Sequence, residues 1–433
     1  MRPPEDLSPD PEASQRSRAA RMVRRTVLDL TPLRISRDFR LLWFGELVSH
    51  TGRHIAFVAL PYQVYQLTGS PLAVGLIGLV QVGPLVLFSL VGGAVADAID
   101  RRRLLLFSQT GSMAASLLLV GGATMERPPL WFLYLAAALS SAFAAFDSPA
   151  RSAAIPNLVP RERLASAIAL NQVLFQVNDV VGPAIAGLII ARFGLVWAYA
   201  IDAVTFLAAI ATLLAMRPMP PRHEGARPPV LRAVREGFAY LKGRRVLLST
   251  FLIDLDAMIF GMPRALFPVL AQEAFHVGPA GLGLLYAAPA AGALVGAVFT
   301  GWVGHVRHQG RAVLWAVSIW GMAIVAFGLS TTAFLLALGW LAIAGGADVI
   351  SAIFRSTILQ SSVPDALRGR LSSIHIMVVV GGPRLGDLEA GVVAQLTSPV
   401  VSVVSGGIAC VAGVAVLSLV VPQFRRYHAG EPA

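Results

Sequence analysis

Ionisable side chains recur inside otherwise apolar stretches of this sequence, where a charge is costly and needs a function or a partner. The first such stretch carries Glu46, His50, Arg53 and His54 three or four residues apart. On a helix, these side chains share one face over about 12 Å. Because imidazole titrates near neutral pH, we predict that this face lines a transport cavity and carries protons. The alternative is a buried network that only holds the helix against a neighbour.

Further ionisable groups fall in later apolar stretches and are candidates for proton coupling or for a cavity wall. Asp254 and Asp256 are two residues apart, so at most one of them should face a cavity. Arg384 and Asp387 are three residues apart and can pair on one face. Arg264 either acts at an outer gate, attracts an anionic substrate, or extends to the lipid headgroups. The full set of these later candidates is Asp179, Asp254, Asp256, Arg264, Asp348, Arg384 and Asp387.

Three isolated acids have weaker assignments. Asp147 lies four residues before Arg151 at a helix end, a spacing that favours a local ion pair over transport chemistry. Asp348 precedes Arg355 by seven residues and can line the cavity, whereas the sequence suggests no role for Asp202.

Metal and cofactor chemistry finds little support in the residue pattern. The spacing of His50 and His54 permits metal binding, but no third ligand lies nearby, so we expect no metal site. The single cysteine, Cys410, excludes a disulfide framework. The sequence contains no G-x-x-x-x-G-K-[ST] phosphate loop, and we expect no cofactor.

The composition is that of a membrane protein. Of 433 residues, 56% are hydrophobic and only 14% are charged, and the mean hydropathy is +0.68. A soluble domain usually carries about a quarter of charged residues. The basic residues fall between long apolar runs rather than in aromatic-rich patches, which argues against nucleic-acid binding.

Apolar stretches of about 20 residues, each long enough to cross roughly 30 Å of hydrocarbon, predict an all-α integral membrane protein with twelve transmembrane helices in two six-helix halves. We place the halves at 38–216 and 246–421. The tail 1–37 should be a disordered cytoplasmic segment, and 422–433 a second cytoplasmic tail. Between the halves, 217–245 predicts a cytoplasmic linker with an amphipathic helix on the membrane surface.

The basic residues also predict the orientation. Most of the 35 Lys and Arg residues lie in the tails, the linker and the loops of one side, while Arg127 and Arg192 alone fall in loops of the other side. Since basic loops stay inside, both termini should be cytoplasmic in a multi-pass protein of the cell (inner) membrane.

The two halves resemble each other. The segments 150–160 (ARSAAIPNLVP) and 354–364 (FRSTILQSSVP) share Arg-Ser and Val-Pro at one spacing, 204 residues apart. Two further matches, 75–84 with 281–289 and 93–103 with 301–311, have nearly the same offset. Such a duplication predicts a substrate site near mid-membrane, between the halves.

The segment GAVADAIDRRR resembles the G-x-x-x-D-R-x-G-R-R loop of the major facilitator superfamily. The matching residues are Gly93, Asp97, Arg101, Arg102 and Arg103, while Ala98 replaces a residue that is usually basic. This resemblance implies the major facilitator fold and a loop that controls how the halves open and close. The second copy, GWVGHVRHQGR, lacks the acid.

Longer stretches resemble the enterobactin exporter branch of that superfamily. They are SPLAVGLIGLVQVGPLV, SPARSAAIPNLVPRERLASAIALNQ and RALFPVLAQEAFHVGPAGLGLLYAAPAAGALVGA. The Gly-Pro pattern of antiporter-type members, which allows a helix to bend, resembles Gly182, Pro183 and Gly187, with Gly382 and Pro383 as the second copy. The resemblance implies proton-driven export of catecholate siderophores or lipophilic drugs.

The sequence therefore predicts a secondary-active exporter rather than an enzyme. Its partners should be a small amphipathic substrate, protons and the lipid bilayer, and it should be a monomer. The cavity wall would include Trp43, Phe57, Met258 and Phe260. An importer or facilitator of the same fold remains an alternative. A lipid-modifying enzyme with magnesium on Asp254 and Asp256 would need a second acidic cluster, which the sequence does not contain.

Overall fold

A computed structural model describes residues 29–220 and 230–428 of the chain. Most of the predicted N-terminal tail, residues 221–229 of the predicted linker and residues 429–433 lie outside the described residues. Two predicted members of the gating loop, Gly93 and the side chain of Asp97, are also outside what the structure describes.

The described residues are mostly helical, with six long helices before the linker and six after it. Most are joined by short turns; longer segments follow the seventh and eighth long helices, and a shorter helix, Val230–Leu241, precedes the seventh. The long helices are α1 Arg37–Thr68, α2 Pro71–Ala98, α3 Arg101–Thr124, α4 Leu130–Leu158, α5 Leu164–Phe193, α6 Leu195–Ala215, α7 Arg245–Phe260, α8 Gly278–Val298, α9 Gln309–Leu329, α10 Phe334–Ser362, α11 Asp365–Leu396 and α12 Pro399–Val420.

Local sequence explains where several helices begin. The side chains of Ser36, Ser70 and Ser398 each accept a hydrogen bond from the backbone N–H three residues further on. These bonds satisfy donors that the first helical turn leaves free. Asp100 caps α3 in the same way. At the end of α1, Gly69 adopts a left-handed conformation (φ 59°) that closes the helix and starts the turn into α2.

The predicted membrane fold is confirmed in its class. Within the described residues, ten helical segments are long and apolar enough to cross a membrane. The two long helices outside that set, α1 and α11, have 32 residues each. Both contain many of the ionisable candidates, which lowers their mean hydropathy. The twelve predicted helices are consistent with this arrangement.

The halves meet along two helix pairs, α5 with α8 and α2 with α11. We call the end of the bundle that carries residues 217–220 and 230–245 the linker end, and the opposite end the far end. Near the far end, a Cβ atom built on Gly283 would lie 2.4 Å from the carbonyl oxygen of Pro183 and 2.9 Å from Gly187 Cα. Glycine at both positions therefore allows the backbones of α5 and α8 to touch.

Hydrogen bonds between the halves also lie at the far end. The Tyr65 hydroxyl, at the end of α1, donates to Glu273 beyond α7. Ser70 Oγ donates to Gln395 Oε1, near the end of α11, at 2.7 Å. Together with the glycine contact, these bonds hold the halves together at the far end.

The seventh helix departs from the continuous span predicted over 246–272. It stops at Phe260, and the chain continues through a 3-10 turn at Arg264–Leu266 and a π-helical turn at Leu270–Ala274. Pro263 explains the interruption, because proline lacks an N–H donor and disfavours a helical residue before it. Trp320 Nε1 of α9 donates to the freed carbonyl of Gly261 at 2.7 Å.

A short helix, Thr31–Ile35, precedes α1 and is anchored to α5. Asp29 accepts hydrogen bonds from Ser166 at 2.9 Å and from Arg163 at 3.1 Å. Hydrogen bonds from Thr31 and Ser166 lower the pKa of the Asp29 carboxyl to about 2. This surface contact therefore stays ionised across the physiological range.

We predict that Gly283→Ala destabilises the protein by about 1–3 kcal/mol, because the added methyl group would force α5 and α8 apart. Gly121→Ala is the matched control, since a Cβ atom on Gly121 would meet nothing within 4 Å and alanine is the better helix former. Thermal unfolding in detergent measures the difference. Equal melting temperatures for the two variants would contradict the close packing of these helices.

Candidate functional site

A buried ion-pair network joins α1 to α4. Arg151 Nη2 lies 2.5 Å from Glu46 Oε2 and 3.0 Å from Asp147 Oδ1. Arg53 Nη2 donates to Glu46 Oε1 at 2.6 Å, and its other terminal nitrogen lies 3.9 Å from Asp147. Gln109 of α3 donates to Asp147 at 2.7 Å. We call Glu46, Arg53, Asp147 and Arg151 the N-half cluster.

The other half contains an equivalent cluster between α7 and α10. Arg355 Nη1 lies 2.7 Å from Asp254 Oδ1, and Arg355 Nη2 lies 3.8 Å from Asp348 Oδ1. Asp254 and Arg355 are almost inaccessible to solvent, whereas Asp348 is partly exposed. We call these three residues the C-half cluster.

The internal repeat relates the two clusters. Arg151 and Arg355 are 204 residues apart and each lies seven residues before the end of its helix. The acids that pair with them from the first helix of each half, Glu46 and Asp254, are 208 residues apart. Sequence reasoning identified the acids but treated the two arginines as local partners. The shared Arg-Ser pair of the repeat is the signal that marks both arginines as equivalent positions.

A cavity with two lobes lies between the halves. The smaller lobe has a volume of about 240 Å³ and the larger about 580 Å³. Five residues line both lobes, and we call them the waist: Arg53, Phe57, Arg264, Tyr286 and Arg384. The waist draws on both halves of the protein and concentrates positive charge between the two lobes.

An aromatic pair crosses the waist. The rings of Phe57 on α1 and Tyr286 on α8 meet edge to face with centroids 5.4 Å apart, a favourable geometry. Tyr286 also contacts Phe267, with centroids 5.1 Å apart, and its hydroxyl donates to the Arg264 carbonyl at 3.2 Å. This surface suits a flat aromatic or apolar ligand.

Of the four predicted wall residues, only Phe57 lines a lobe. Trp43 donates to the Leu170 carbonyl at 3.2 Å and holds α1 against α5. Met258 packs against Gly382, and the backbone of Phe260 packs against Gly406 of α12. The prediction was wrong for these three because side chains on one helix can reach different neighbours within a single turn.

The arginines of the seventh and eleventh helices face the cavity. Arg264 lines both lobes and does not extend to the lipid headgroups, so its predicted attraction of an anion stays a prediction. Arg384 also lines both lobes, while Asp387 lines the smaller one. The predicted Arg384–Asp387 ion pair does not form within 4.0 Å in the described residues. Asp387 instead packs against α2, where a Cβ atom on Gly78 would lie 3.1 Å from Asp387 Cβ.

The histidine pair lies in the larger lobe. The His50 and His54 rings are tilted against each other with centroids 4.8 Å apart, and His54 Nε2 lies 3.1 Å from Asp179 Oδ1 of α5. All three residues line the larger lobe, as the prediction for His50 and Asp179 requires. In the ranges 29–220 and 230–428, no group of three possible metal ligands is found.

Two predicted acids lie away from the cavity. Glu46 is buried in the N-half cluster and lines neither lobe, which corrects its predicted position. Asp256 points to α12, where it faces Cys410 and Gly413.

Asp202, for which the sequence suggested no role, accepts a hydrogen bond from Ser116 at 2.5 Å and lines the smaller lobe. Its isolation in the sequence gave no signal of this position.

The arginines of the predicted gating loop hold elements of the first half together. The Arg101 side chain donates to the Pro220 carbonyl at 3.2 Å. Arg102 donates to the carbonyls of Leu213 and Leu214, both at 2.7 Å. Arg103 lies in the first turn of α3, and its backbone N–H donates to Asp100 Oδ1 at 3.1 Å. These bonds tie the start of α3 to the end of α6.

The predicted helix-bend residues lie in continuous helices. α5 runs through Gly182, Pro183 and Gly187, and α11 runs through Gly382 and Pro383. Glycine is required where helices approach. A Cβ atom on Gly182 would lie 2.5 Å from His54 Cβ, and one on Gly382 would lie 2.9 Å from Met258 Cβ.

Comparison with known proteins relates this arrangement to transporters. The family model described as transmembrane secretion effector matches residues 28–429. The enterobactin exporter EntS of Shigella boydii serotype 18 is 28% identical over 406 residues, covering 94% of this chain and 97% of the relative. EntS of Escherichia coli O139:H28 has the same identity and coverage.

Solved structures share the fold at low identity. The nucleoside transporter NupG superposes with a TM-score of 0.72 at 13% identity, covering 90% of this chain and 100% of that one. A bacterial homologue of the iron transporter ferroportin, in an inward-facing state, has a TM-score of 0.66 at 17% identity, covering 90% and 98%. These similarities, and the family match, are to transporters and not to enzymes.

We predict that Arg151→Ala lowers the free energy of unfolding by about 3–5 kcal/mol, because it leaves buried carboxylates without their partner. Arg163→Ala is the matched control: it breaks the exposed pair with Asp29 and should cost about 0–1 kcal/mol. Denaturant unfolding in detergent measures both variants. If the two substitutions cost the same, the N-half cluster is not a structural requirement.

Proposed function

Because the chain belongs to the transmembrane secretion effector family of the major facilitator superfamily, we propose that it is a secondary-active exporter of a small amphipathic molecule. The substrate class we favour is the catecholate siderophores, with enterobactin as the example. Export is driven by proton antiport, with the two halves rocking about the central cavity. The protein acts as a monomer in the cell membrane.

The waist is the observation that carries this proposal. Arg53, Arg264 and Arg384 place three guanidinium groups around the Phe57–Tyr286 aromatic pair. Guanidinium groups bind oxygen anions in a fork geometry, and aromatic rings stack on the rings of a ligand. A catecholate offers both an aromatic ring and adjacent oxygen atoms. The two EntS relatives, which are named enterobactin exporters, support the same substrate class.

The contacts between the halves support alternating access. Both the glycine contact of α5 with α8 and the Tyr65–Glu273 hydrogen bond lie at the far end. Towards the linker end, a groove of about 310 Å³ follows α10 from Val349 to Gln360, and Val349 also lines the larger lobe. In the proposed cycle, the substrate enters the cavity along this surface of α10 from the linker end.

The orientation follows from the basic residues. Those of the linker, together with Arg101, Arg102 and Arg103, cluster at the linker end, which the positive-inside rule assigns to the cytoplasm. Both termini are then cytoplasmic, and the groove along α10 opens to the cytoplasm. This direction of entry is the one that an exporter needs.

Lipophilic drugs are the second candidate substrate. The smaller lobe has a mostly apolar wall that includes Leu60, Val74, Ile77, Leu85 and Leu119, which suits an uncharged aromatic compound. Import or facilitated diffusion uses the same fold and differs only in coupling. Transport assays separate these possibilities.

We expect purified protein in proteoliposomes to transport enterobactin against its concentration gradient when a pH gradient is imposed. This transport should stop when a protonophore is added. A panel of lipophilic drugs is measured in the same vesicles. Movement of the drugs alone would replace the siderophore proposal with multidrug antiport. Movement that ignores the pH gradient would contradict proton coupling.

We predict that Arg264→Ala reduces enterobactin transport at least tenfold, since one charge-assisted hydrogen bond is worth roughly 1.5–3 kcal/mol. Transport of a neutral lipophilic drug should change much less. Arg307→Ala, a substitution of an exposed arginine before α9, is the control that leaves the waist intact. An equal loss for both compounds would mean that Arg264 supports the structure and not anion binding.

A further inference from the structure

The two buried clusters differ in their balance of charge. In the N-half cluster, Glu46 and Asp147 face two guanidinium groups, those of Arg53 and Arg151. Two negative and two positive charges cancel when every group is ionised. This cluster is therefore neutral without any bound proton.

The C-half cluster lacks the second cation. Asp254 and Asp348 share the single guanidinium of Arg355, so the fully ionised cluster has one excess negative charge. The internal repeat explains the difference. Glu46 corresponds to Asp254 at an offset of 208 residues, and the same offset relates Arg53 to Gly261, where α7 has already ended.

An uncompensated charge inside a membrane protein is costly, and the usual result is that the group binds a proton. One proton on the C-half cluster restores neutrality. Asp254 and Asp348 both contact the Arg355 guanidinium group, so their titrations are coupled. The proton therefore belongs to the cluster and not to one atom.

Several other charged or titratable groups surround Asp348, on the neighbouring helices and across the larger lobe. α8 and α9, which pack against α10, contribute only Tyr286 and Arg311 as ionisable side chains. His375 of α11 interacts electrostatically with Asp254. The remaining charged or titratable groups face Asp348 across the larger lobe and are Arg264, Arg384, His50, Arg53, His54 and Asp179.

Arg264 does not neutralise the excess negative charge of the C-half cluster. It interacts electrostatically with Asp348, but within the described residues it forms no ion pair shorter than 4.0 Å. It lines both lobes, so a substrate anion or water competes for its guanidinium group. The excess charge of the C-half cluster thus persists unless a proton is bound.

We propose that the transported proton binds to the C-half cluster, and that Asp348 is the group through which it enters and leaves. This inference rests on the proposed proton antiport. Asp254 is almost fully buried, whereas the Asp348 side chain is 25% exposed and lines the larger lobe. A substrate that fills this lobe covers Asp348, so it blocks proton exchange while it is bound.

Thermal unfolding in detergent between pH 5.5 and 8.5 tests the site without any substrate. We expect the melting temperature of the parent protein to fall as the pH rises, because the folded cluster loses its proton and keeps an excess negative charge. Asp348→Asn removes that charge and should make the decline shallower, while other buried acids such as Asp202 and Asp256 continue to contribute to it. Glu46→Gln unbalances the neutral cluster instead, so it should lower the melting temperature at every pH and retain the full decline. A decline as steep in Asp348→Asn as in the parent, or one that disappears in Glu46→Gln, would overturn the assignment.

Transport separates this proposal from the proposed function. In proteoliposomes with enterobactin as the probe, a pH gradient should accelerate export by the parent and by Glu46→Gln several-fold. For Asp348→Asn, the ratio of rates with and without the gradient should fall to about one. If the parent itself ignores the gradient while Asp348→Asn still makes the melting decline shallower, the proton site stands and the antiport proposal fails. If the parent responds and Asp348→Asn responds equally, antiport stands and the site is wrong.

Discussion

A guanidinium group buried between membrane helices must be neutralised by carboxylates, and this requirement organises both halves of the protein. Arg151 draws Glu46 of α1 to α4, and Arg355 draws Asp254 of α7 to α10. Breaking either pair would leave charge in a medium that solvates it poorly. The two contacts therefore fix how the first and fourth helices of each half lie against each other, and these helices supply much of the cavity wall.

The helices that line the cavity differ in their polar residues from the helices that face lipid. α1 and α11 carry several cavity residues, including Arg53 and Arg384, and neither is among the ten described segments that are long and apolar enough to cross a membrane. Helices such as α12 carry almost no ionisable groups and expose large apolar side chains, among them Leu419 and Val420, on the surface that meets lipid. The cost of a charge in hydrocarbon explains this division, because only a cavity can hydrate a charge that lacks an ion-pair partner.

The contacts between the halves are well suited to being broken and remade. At the far end they consist of backbone packing at Gly187 and Gly283 and of a few hydrogen bonds, such as that of Tyr65 with Glu273. The strong ion pairs lie within each half instead. A rocking motion can then exchange weak contacts between rigid bodies without separating buried charges, which is the physical requirement for alternating access.

The sequence by itself determined the membrane class, most of the helical spans, the internal repeat and the local pair of Asp147 with Arg151, because each depends on residues close together or on hydropathy along one segment. The tertiary structure decided the rest. Glu46 meets Arg151 although the two are distant in the chain, and Asp387 packs on Gly78 rather than pairing with Arg384. The break after Phe260 turns Arg264 into the cavity. A helix presents a side chain to all directions around its axis, so spacing alone establishes which residues share a face but not which neighbouring helix or cavity that face meets.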